Sequence, residues 1–466
     1  MKEKNIFLLL LDGVGLRNFA YSKFNEAGTN RNFNIVFWNK TVFPIESLGF
    51  KEIKFSTIKL HPFTDILKTV KIRVSLNLFE KRTQDVVYNS YKFKFPYNTI
   101  NSSIKSIVSR ILIGILSNEK GLAFLDKSIN YFERKTGYYN YCKEILEAEK
   151  PEMIFSTSQR HIQSVAPLLA AKDLNIPTAA FIFSWDNLPK ATMIVDTDYY
   201  FVWSELMKAE ILFYYPNIKE NQIIVAGTPQ FEIHFDKQSI ESRETFFKTH
   251  SLDLNKKYIC FSGDDITTSP DDPKYLEDLV MAVERLNQKQ YNLGIIFRRC
   301  PVDFSSRYNE VLKKYEHIIV SIDPLWKAFS SNWDAILPTK EDGFLFSNIA
   351  EHSEIVVNLG STTVFDFLSH NKPCGYFRYN QKNQVDTNWD IFKCYKFVHF
   401  RSMESKDSVI WLDSPDVIDQ KIENVLNNKH QKNLDEAKKW FEKVNQYPPQ
   451  LASERIWNAI DEICKK

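Results

Sequence analysis

The stretch EIVVNLGSTTVFDFL, residues 354–368, carries the strongest structural signal in the chain. Its first five residues, 354–358, form a mostly apolar run that is typical of a parallel strand buried on both faces. A turn at residues 359–363 follows, and the apolar residues after it are spaced as in a helix. This order predicts a strand, a tight turn and a helix, which is the repeating unit of a doubly wound α/β sheet.

The turn itself is a candidate ligand site, because such sheets bind ligands beside the carboxyl ends of their strands. Gly360 would let the backbone come close to a ligand. The hydroxyls and amides of Ser361, Thr362 and Thr363 would face a phosphate, which the positive end of a helix dipole favours. These residues would also serve as an ordinary helix N-cap, so the turn alone leaves both interpretations open.

Alternation of strands and helices extends outward from this stretch in both directions. Residues 6–11 form an apolar run that is too short for the core of a signal peptide, and we interpret it as a buried first strand. A first series of strands is predicted at residues 152–156, 178–183, 199–203 and 222–226. A second series is predicted at residues 258–262, 293–297, 317–321, 335–337, 354–358, 374–377 and 397–400. We therefore predict two doubly wound Rossmann-like domains facing a central cleft.

The remaining segments are predicted to be helical or irregular. Residues 48–97 alternate in places, as at 70–74, and could be strands or an irregular insertion. Residues 103–148, 416–427 and 433–464 have a helical pattern. A polar stretch, 236–255, marks an interdomain linker. The resulting division is an acceptor-binding domain at 1–230, a nucleotide-donor domain at 231–430, and helices at 431–466 that cross back to the first domain, with Trp440 and Trp457 as packing anchors.

Length, composition and charge limit the classes of protein to which the chain can belong. The 466 residues exceed the usual size of one domain, and 44% apolar with 25% charged residues is ordinary for a globular protein. A net charge of +2 argues against a nucleic-acid partner. The six cysteines lie far apart, as expected of reduced thiols in the cytoplasm. No apolar stretch reaches the length of a membrane span. The basic segment 92–135 would meet an anionic membrane or a phosphorylated acceptor, unless it is simply a solvated helix face.

Several segments resemble GT-B glycosyltransferases, and most closely the group of CDP-glycerol glycerophosphotransferase-like proteins. WDNLPK at 185–190, GTPQFE at 227–232 and FRRCP at 297–301 are similar to that group's W-H-G-x-P, G-x-P-x-x-D and R-P-H-P segments. In the stretch quoted first, Ser361 and Thr362 stand at its serine pair and Asp366 at its F-D pair. The Gly-Ser-Thr turn is closer to sugar transferases, including Kdo transferases. Both histidines of the group are missing, since Asp186 and Cys300 replace them.

This resemblance implies a glycosyltransferase that moves a sugar from a nucleotide-activated donor to a hydroxyl of a glycan or lipid-linked acceptor in bacterial surface polysaccharide or lipopolysaccharide synthesis. It implies no metal and no cofactor beyond the nucleotide sugar. The expected location is the cytoplasm or the inner face of the cytoplasmic membrane. The candidate residues are Asp12 and Asp186 for catalysis; Ser262, Gly263, Arg298, Arg299, Gly360, Ser361, Thr362, Thr363 and Asp366 for the donor; and Gly13, Gly15, Arg17, His161 and Trp185 for the acceptor.

The candidate roles follow from ordinary chemistry, and each has a plainer alternative. Asp12 and Asp186 follow strands and could accept the proton of an acceptor hydroxyl, or simply cap turns. His161 is a third candidate base. Arg298 and Arg299 could bind phosphate oxygens bidentately, although two adjacent arginines at a strand end cannot both face the same way.

Four rival functions remain open at the level of sequence. These are a CDP-glycerol-type polyol-phosphate transferase, a sugar-nucleotide epimerase of the same fold, a non-catalytic nucleotide-binding scaffold, and a metal-dependent phosphatase or mutase. The last is suggested by LDGVG at residues 11–15, but no histidine in the chain stands beside an aspartate, as the D-H pair of those enzymes requires.

Overall fold

The computed structural model describes residues 4–55, 58–329 and 335–465. The chain separates into two compact units: unit 1 comprises Met1–Pro229 with Val444–Lys466, and unit 2 comprises Gln230–Lys443. Each unit has its own parallel sheet and its own buried core. Among the described residues, no helix is both long and apolar enough to cross a bilayer.

The sheet of unit 1 contains β1 (Lys4–Leu10), β2 (Phe33–Asn39), β3 (Lys51–Lys54), β4 (Met153–Ser156), β5 (Thr178–Phe181), β6 (Tyr199–Val202) and β7 (Ile223–Val225). All neighbouring strands are parallel, in the order β3-β2-β1-β4-β5-β6-β7. Strand β1 lies in the middle with both faces covered, and residues 6–10 are fully buried. The direction of strand addition reverses between β1 and β4, which creates a switch point there.

The helices of unit 1 before the linker are α1 (Gly13–Gly15), α2 (Phe24–Thr29), α3 (Thr64–Thr83), α4 (Ile100–Leu116), α5 (Glu119–Glu133), α6 (Gly137–Glu149), α7 (Val165–Asp173) and α8 (Glu205–Tyr214). The helical stretch predicted at 103–148 is three helices, because the side chains of Asn118 and Thr136 cap new N-termini. The alternation at 70–74 lies in α3 and is not a strand. Val70 and Val74 are one helical turn apart, so both are buried on the same helix face.

Unit 2 contains β8 (Lys257–Ser262), β9 (Leu293–Arg298), β10 (Ile319–Ser321), β11 (Trp326–Ala328), β12 (Ile336–Pro338), β13 (Ser353–Asn358), β14 (Cys374–Phe377) and β15 (Ile410–Leu412). Its main sheet is parallel, in the order β10-β9-β8-β13-β14-β15, with a second switch point between β8 and β13. Its helices are α9 (Arg243–Thr249), α10 (Asp272–Gln288), α11 (Asn309–Lys314), α12 (Lys340–His352), α13 (Thr363–Leu368), α14 (Ile391–Cys394), α15 (Ile418–Leu426) and α16 (Gln431–Val444).

Two strands predicted for the second sheet are placed differently. The strand expected at 335–337 corresponds to β12, which pairs antiparallel with β11 outside the main sheet. The strand expected at 397–400 is instead a 3-10 turn, Val398–Ser402, and β15 takes the edge position. Phe400 is apolar because it packs in a loop against the rings of Tyr376 and Tyr395, not because it lies in a strand.

The C-terminal segment predicted as helical at 433–464 is two helices, α16 and α17 (Ala452–Ile463). Prolines 448 and 449 separate them, since neither can continue an α-helix. Trp440 of α16 packs in unit 2 against Phe365, with ring centroids 4.8 Å apart. Trp457 of α17 packs in unit 1, where its indole nitrogen donates to the carbonyl of Phe24 at 2.6 Å. The division between the units falls at Val444, inside this segment.

Candidate active site

The turn after β1 lies at the switch point of the first sheet and is tightly constrained. Asp12 Oδ1 accepts a hydrogen bond from the Gly15 amide at 2.9 Å, which caps α1. Gly13 and Gly15 are both buried. A Cβ atom at Gly15 would lie 2.7 Å from the Thr157 hydroxyl, so only glycine fits between β1 and the loop after β4.

The loop after β4 brings His161 to Asp12. The imidazole Nε2 lies 2.7 Å from Asp12 Oδ2, and an Arg160 nitrogen lies 3.7 Å from the same oxygen. Burial raises the pKa of Asp12, but the hydrogen bond and charge of His161, the Gly15 amide and Arg160 together bring it below its ordinary value. Asp12 is therefore a carboxylate that accepts from Nε2–H. In the neutral ring this leaves Nδ1 with its lone pair, which suits a general base.

The positively charged Arg160 lies beside this Asp12–His161 pair, and Lys68 interacts with Arg160. The Arg160 guanidinium stacks over the Phe183 ring at 3.9 Å. Burial lowers the pKa of Lys68 on α3, the nearby Asp65 opposes that change, and the charge of Arg160 adds to it. Lys68 thus lies close enough to Arg160 for the two cations to interact. Sequence reasoning missed both residues. Lys68 could not be found because α3 lies far from the loop in sequence and was not predicted as a helix.

Asp186, the other predicted base, lies in the loop after β5. Its carboxylate forms an ion pair with Lys190 and accepts from the Asn187 amide at 2.8 Å. Gln159 joins this loop to the His161 loop, since its amide donates to Asn187 Oδ1 at 3.2 Å. The structure therefore groups both predicted aspartates at one edge of the sheet, but it is Asp12 that contacts a histidine.

The remaining acceptor candidates lie around the same edge. Trp185 is 5% exposed and belongs to the core of its loop. The Arg17 Nε donates to Asn18 at 3.3 Å from the π-helical turn Leu16–Ala20, which follows α1. The role of Trp185 and Arg17 in binding an acceptor stays a prediction.

In unit 2 the turn after β8 lies at the second switch point. The Gly263 amide donates to the carbonyl of Arg298 at 2.8 Å, which joins the ends of β8 and β9. A Cβ atom at Gly263 would approach the Tyr308 hydroxyl to 3.0 Å. Ser262 is buried beside it. This packing keeps the backbone of the turn close to the sheet edge.

Two aspartates follow this turn, where bare negative charge would repel a phosphate. Burial, followed by the neighbouring carboxylates of Asp272 and Asp265, raises the pKa of Asp264 well above its ordinary value, which disfavours the charged form of its carboxyl group. Asp265 is ionised, but it accepts from the amide and hydroxyl of Thr267 in a local turn. Arg307, which sequence reasoning missed, ties the segment down by donating to the carbonyl of Ser269 at 2.6 Å.

The two adjacent arginines are both held inside unit 2. One Arg298 nitrogen lies 2.8 and 2.9 Å from the two carboxylate oxygens of Asp342, and the arginine is 5% exposed. Its other terminal nitrogen, Nη1, is buried without a partner among the described residues. Arg299 donates to the carbonyls of Asp303 and Ser305. Their predicted contact with a phosphate remains a prediction, and Arg298 already has a structural partner.

The turn after β13 matches its predicted form. Gly360 has φ +68°, a left-handed conformation that favours glycine. Asn358 Oδ1 accepts from the Ser361 amide at 2.9 Å, and its Nδ2 donates to the Thr363 hydroxyl at 2.8 Å. The Tyr376 hydroxyl donates to the carbonyl of Ser361 at 2.6 Å. Gly360, Ser361, Thr362 and Thr363 are partly exposed, so the outer side of this braced turn is accessible.

Asp366, predicted to contact the donor, is buried in a polar chain instead. Its Oδ1 lies 2.9 Å from Nε2 of His234, whose Nδ1 lies 3.0 Å from Nε2 of His370. His370 Nδ1 in turn lies 2.7 Å from Glu351. Burial and the neighbouring His234 lower the pKa of His370 to about 4. Asp366 thereby joins α13 to the segment that enters unit 2.

Comparisons with solved structures identify the fold. One similar structure is that of the UDP-GlcNAc 2-epimerase from Neisseria meningitidis bound to UDP-GlcNAc. It has 11% sequence identity and a TM-score of 0.56, and the match covers 98% of this chain and 100% of that chain. The chain has the GT-B fold. A similar structure is that of S. aureus MnaA with UDP, which has 14% sequence identity and a TM-score of 0.53 and covers 99% of this chain and 97% of that chain. Another is a glycosyltransferase from Rickettsia africae, which has 11% identity and a TM-score of 0.53 and covers both chains fully. No protein-family model and no curated protein matches the sequence.

At these identities the likeness shows the fold alone. The two switch points are the places where doubly wound domains bind ligands. In this GT-B chain they hold the Asp12–His161 pair in unit 1 and the Ser262-Gly263 and 360–363 turns in unit 2. Among the described residues, no cluster of three or more His, Cys, Asp or Glu side chains is placed to hold a metal ion.

Proposed function

We propose that this GT-B protein is a glycosyltransferase that moves a sugar from a nucleotide-activated donor to a hydroxyl of a glycan or lipid-linked acceptor. The observation that carries the proposal is the Asp12–His161 hydrogen bond of 2.7 Å at the switch point of the first sheet. Transfer to a hydroxyl requires a base that removes its proton as the new bond forms. A histidine held by a buried carboxylate provides one.

His161 is the proposed base, and Asp12 is its positioning partner. Asp12 stays ionised and accepts from Nε2–H, which holds the ring in one orientation with Nδ1 available. When Nδ1 takes the proton of the acceptor hydroxyl, the imidazolium that forms is stabilised by the adjacent carboxylate. Arg160 adds positive charge beside the pair, and Lys68 interacts with Arg160 in turn, which favours an acceptor that carries a negative group.

Unit 2 would bind the donor through the turns after β8 and β13. The braced 360–363 turn presents hydroxyls, and the burial of Asp264 disfavours the negative charge that would repel a phosphate. Hydrogen-bond donors of this kind stabilise the negative charge that develops on the leaving phosphate, without a metal ion. We extend the proposal to bacterial surface polysaccharide or lipopolysaccharide synthesis in the cytoplasm, at the inner face of the membrane, as the resemblance of the sequence implies.

Thermal stabilisation by nucleotides tests the donor site first. CMP, CDP, UDP, GDP and dTDP are added separately in the presence of a metal chelator, since a ligand that binds only the native state raises its stability. We expect one nucleotide to raise the melting temperature, and the shift to shrink in Ser361→Ala. Ser321→Ala, an exposed serine at the end of β10, is the matched control. No shift with any nucleotide at millimolar concentration would refute the proposed donor site.

Product analysis with the matching sugar nucleotide separates the transferase from its rival. A transferase consumes the donor only when an acceptor is supplied, apart from slow hydrolysis, and places the sugar on that acceptor. An epimerase of the same fold converts the sugar nucleotide by itself. Conversion of the donor alone to an isomer, with the nucleotide still attached, would overturn the transferase proposal.

A further inference from the structure

Helix α4 exposes apolar side chains and buries polar ones, which is the reverse of a helix that packs on a core. Five isoleucines, at 100, 104, 107, 111 and 115, are 80%, 55%, 53%, 58% and 66% exposed. The two residues of the helix that are fully covered by the domain are small and polar, since Ser106 and Ser109 are only 2% and 3% exposed. The Ser106 hydroxyl donates to the carbonyl of Pro96 at 2.7 Å. The apolar side of this amphipathic helix therefore faces away from unit 1.

The exposed isoleucines form one continuous stripe. Their spacings of four, three, four and four residues place them on the same helix face. At 1.5 Å per residue the stripe is about 22 Å long. The capping box of Thr99 and Ser102 defines where the helix starts. Phe93 and Tyr97, 89% and 49% exposed, lie in the segment just before α4 and extend the apolar surface. A patch of this kind marks an interaction surface.

The charged residues of the segment that carries the stripe all have one sign. Residues 86–118 contain four basic residues and no acidic residue. Two of them are on α4 itself: Lys105, which pairs only at the surface with Asp65 at 3.2 Å, and Arg110, whose guanidinium lies 5.5 Å from the centroids of the Phe95 and Tyr97 rings. Positive residues that flank an apolar helix face are typical of helices that lie in the interface of an anionic membrane.

We propose that α4 docks unit 1 onto an anionic phospholipid surface, with the helix lying in the plane of the membrane and its isoleucines inserted among the lipid chains. A bilayer span is not required, since the opposite face of the helix buries Ser106 and Ser109 against the domain. A second copy of the chain is a poorer occupant, because it would bring like charges of two segments together with no acidic residue in either to pair with them.

The docking of α4 rests on the proposed function only for its role, which is to bring the enzyme to a lipid-linked acceptor. Its readout is binding to lipid, whereas that of the proposed function is nucleotide binding and transfer. A protein that bound nucleotides but not vesicles would refute the docking alone, and one that bound vesicles but no nucleotide would refute the transferase alone.

Sedimentation of the full chain with vesicles is the test. The probes are vesicles of phosphatidylcholine and of phosphatidylcholine mixed with phosphatidylglycerol. We expect strong binding only to the mixed vesicles, weakened at high salt by screening. The triple variant Ile104→Asn, Ile107→Asn, Ile111→Asn should bind more than about tenfold more weakly, since each insertion is lost. Lys105→Gln with Arg110→Gln should lose roughly fivefold per charge removed.

Matched variants in unit 2 serve as controls. Leu254→Asn with Met281→Asn removes exposed apolar side chains, and Lys313→Gln with Lys429→Gln removes exposed charges; both should bind vesicles like the unchanged protein. All variants should keep the melting temperature, because the altered side chains are exposed. Binding that is equal for both vesicle types, or that survives in the isoleucine variant, would overturn the proposal. Concentration-dependent dimers without lipid that the isoleucine variant abolishes would instead assign the stripe to a second copy.

Discussion

Replacing Asp12 by asparagine changes one half of a carboxylate and leaves the turn around it in place. The Oδ1 atom that accepts from the Gly15 amide at 2.9 Å remains a carbonyl oxygen. The Oδ2 atom 2.7 Å from His161 Nε2 becomes an amide nitrogen, which can only donate. Nε2 must then accept, so the neutral ring carries its proton on Nδ1 and that nitrogen can no longer act as a base.

The size of the effect follows from this exchange. General base catalysis by a positioned side chain contributes about 10²–10⁴-fold to the rate. The variant also loses a hydrogen bond to a charged group, worth about 1.5–3 kcal/mol, that would stabilise the imidazolium. We therefore expect Asp12→Asn to lower kcat by about 10²–10⁴-fold and to leave KM for the donor nearly unchanged, because unit 2 binds the donor.

The assay is the initial rate of nucleotide release from the sugar nucleotide with its acceptor present. Asp186→Asn is the matched control, since Asp186 is an aspartate of the same sheet edge whose carboxylate pairs with Lys190. We expect Asp186→Asn to retain most of kcat. Loss of activity in Asp186→Asn with normal kcat in Asp12→Asn would refute the assignment of His161 and place the base in the loop after β5.

Three further predictions concern stability and are measured by thermal or denaturant unfolding. Asp342→Asn should cost about 3–5 kcal/mol, because it leaves the buried guanidinium at the end of β9 without its charge partner, whereas Asp413→Asn, in an exposed ion pair, should cost less than about 1 kcal/mol; equal effects would contradict the burial of the first pair. Gly15→Ala should destabilise by about 1–3 kcal/mol, since its Cβ would meet a threonine hydroxyl 2.7 Å away, while Gly114→Ala has open space in a helix and should be neutral or stabilising. Burial, with a neighbouring aspartate adding to it, raises the pKa of Glu210 to about 8 from an ordinary 4.5, so the native state holds a proton that the unfolded chain releases between these values. The wild type should lose stability as pH rises from about 4.5 to 8 relative to Glu210→Gln, and a pH-independent difference between the two would show that Glu210 is already ionised.

Much of the fold was predictable because parallel strands buried on both faces leave a local signal. Residues 6–10 are a continuous apolar run and residues 354–358 a mostly apolar one, and each became a central strand of its sheet. The turn at Gly360 was equally local, since its left-handed backbone is one that glycine adopts readily. Two Rossmann-like domains were predicted on these grounds, and the GT-B type from the resemblance of several segments to that family; the structure confirms both.

The errors have a common cause, which is that apolar residues in loops and helices imitate strands. Residues 70–74 alternate like a strand, yet one turn of α3 buries Val70 and Val74 together. Residues 397–400 resemble a strand, yet Phe400 is apolar because it packs beside Tyr376 and Tyr395. Neither case can be separated from a strand without knowing what lies next to the segment.

The sequence by itself determined the fold class and the two glycine-containing turns, because each depends on neighbours within a few positions along the chain. The partner of Asp12 was decided only by tertiary structure. His161 lies 149 positions away and reaches Asp12 because β1 and β4 are adjacent in the sheet. Tertiary structure likewise withdrew Arg298 into an ion pair with Asp342 and turned the isoleucines of α4 outward. Pairing and burial depend on which strands and helices become neighbours, and that information is distributed over the whole chain.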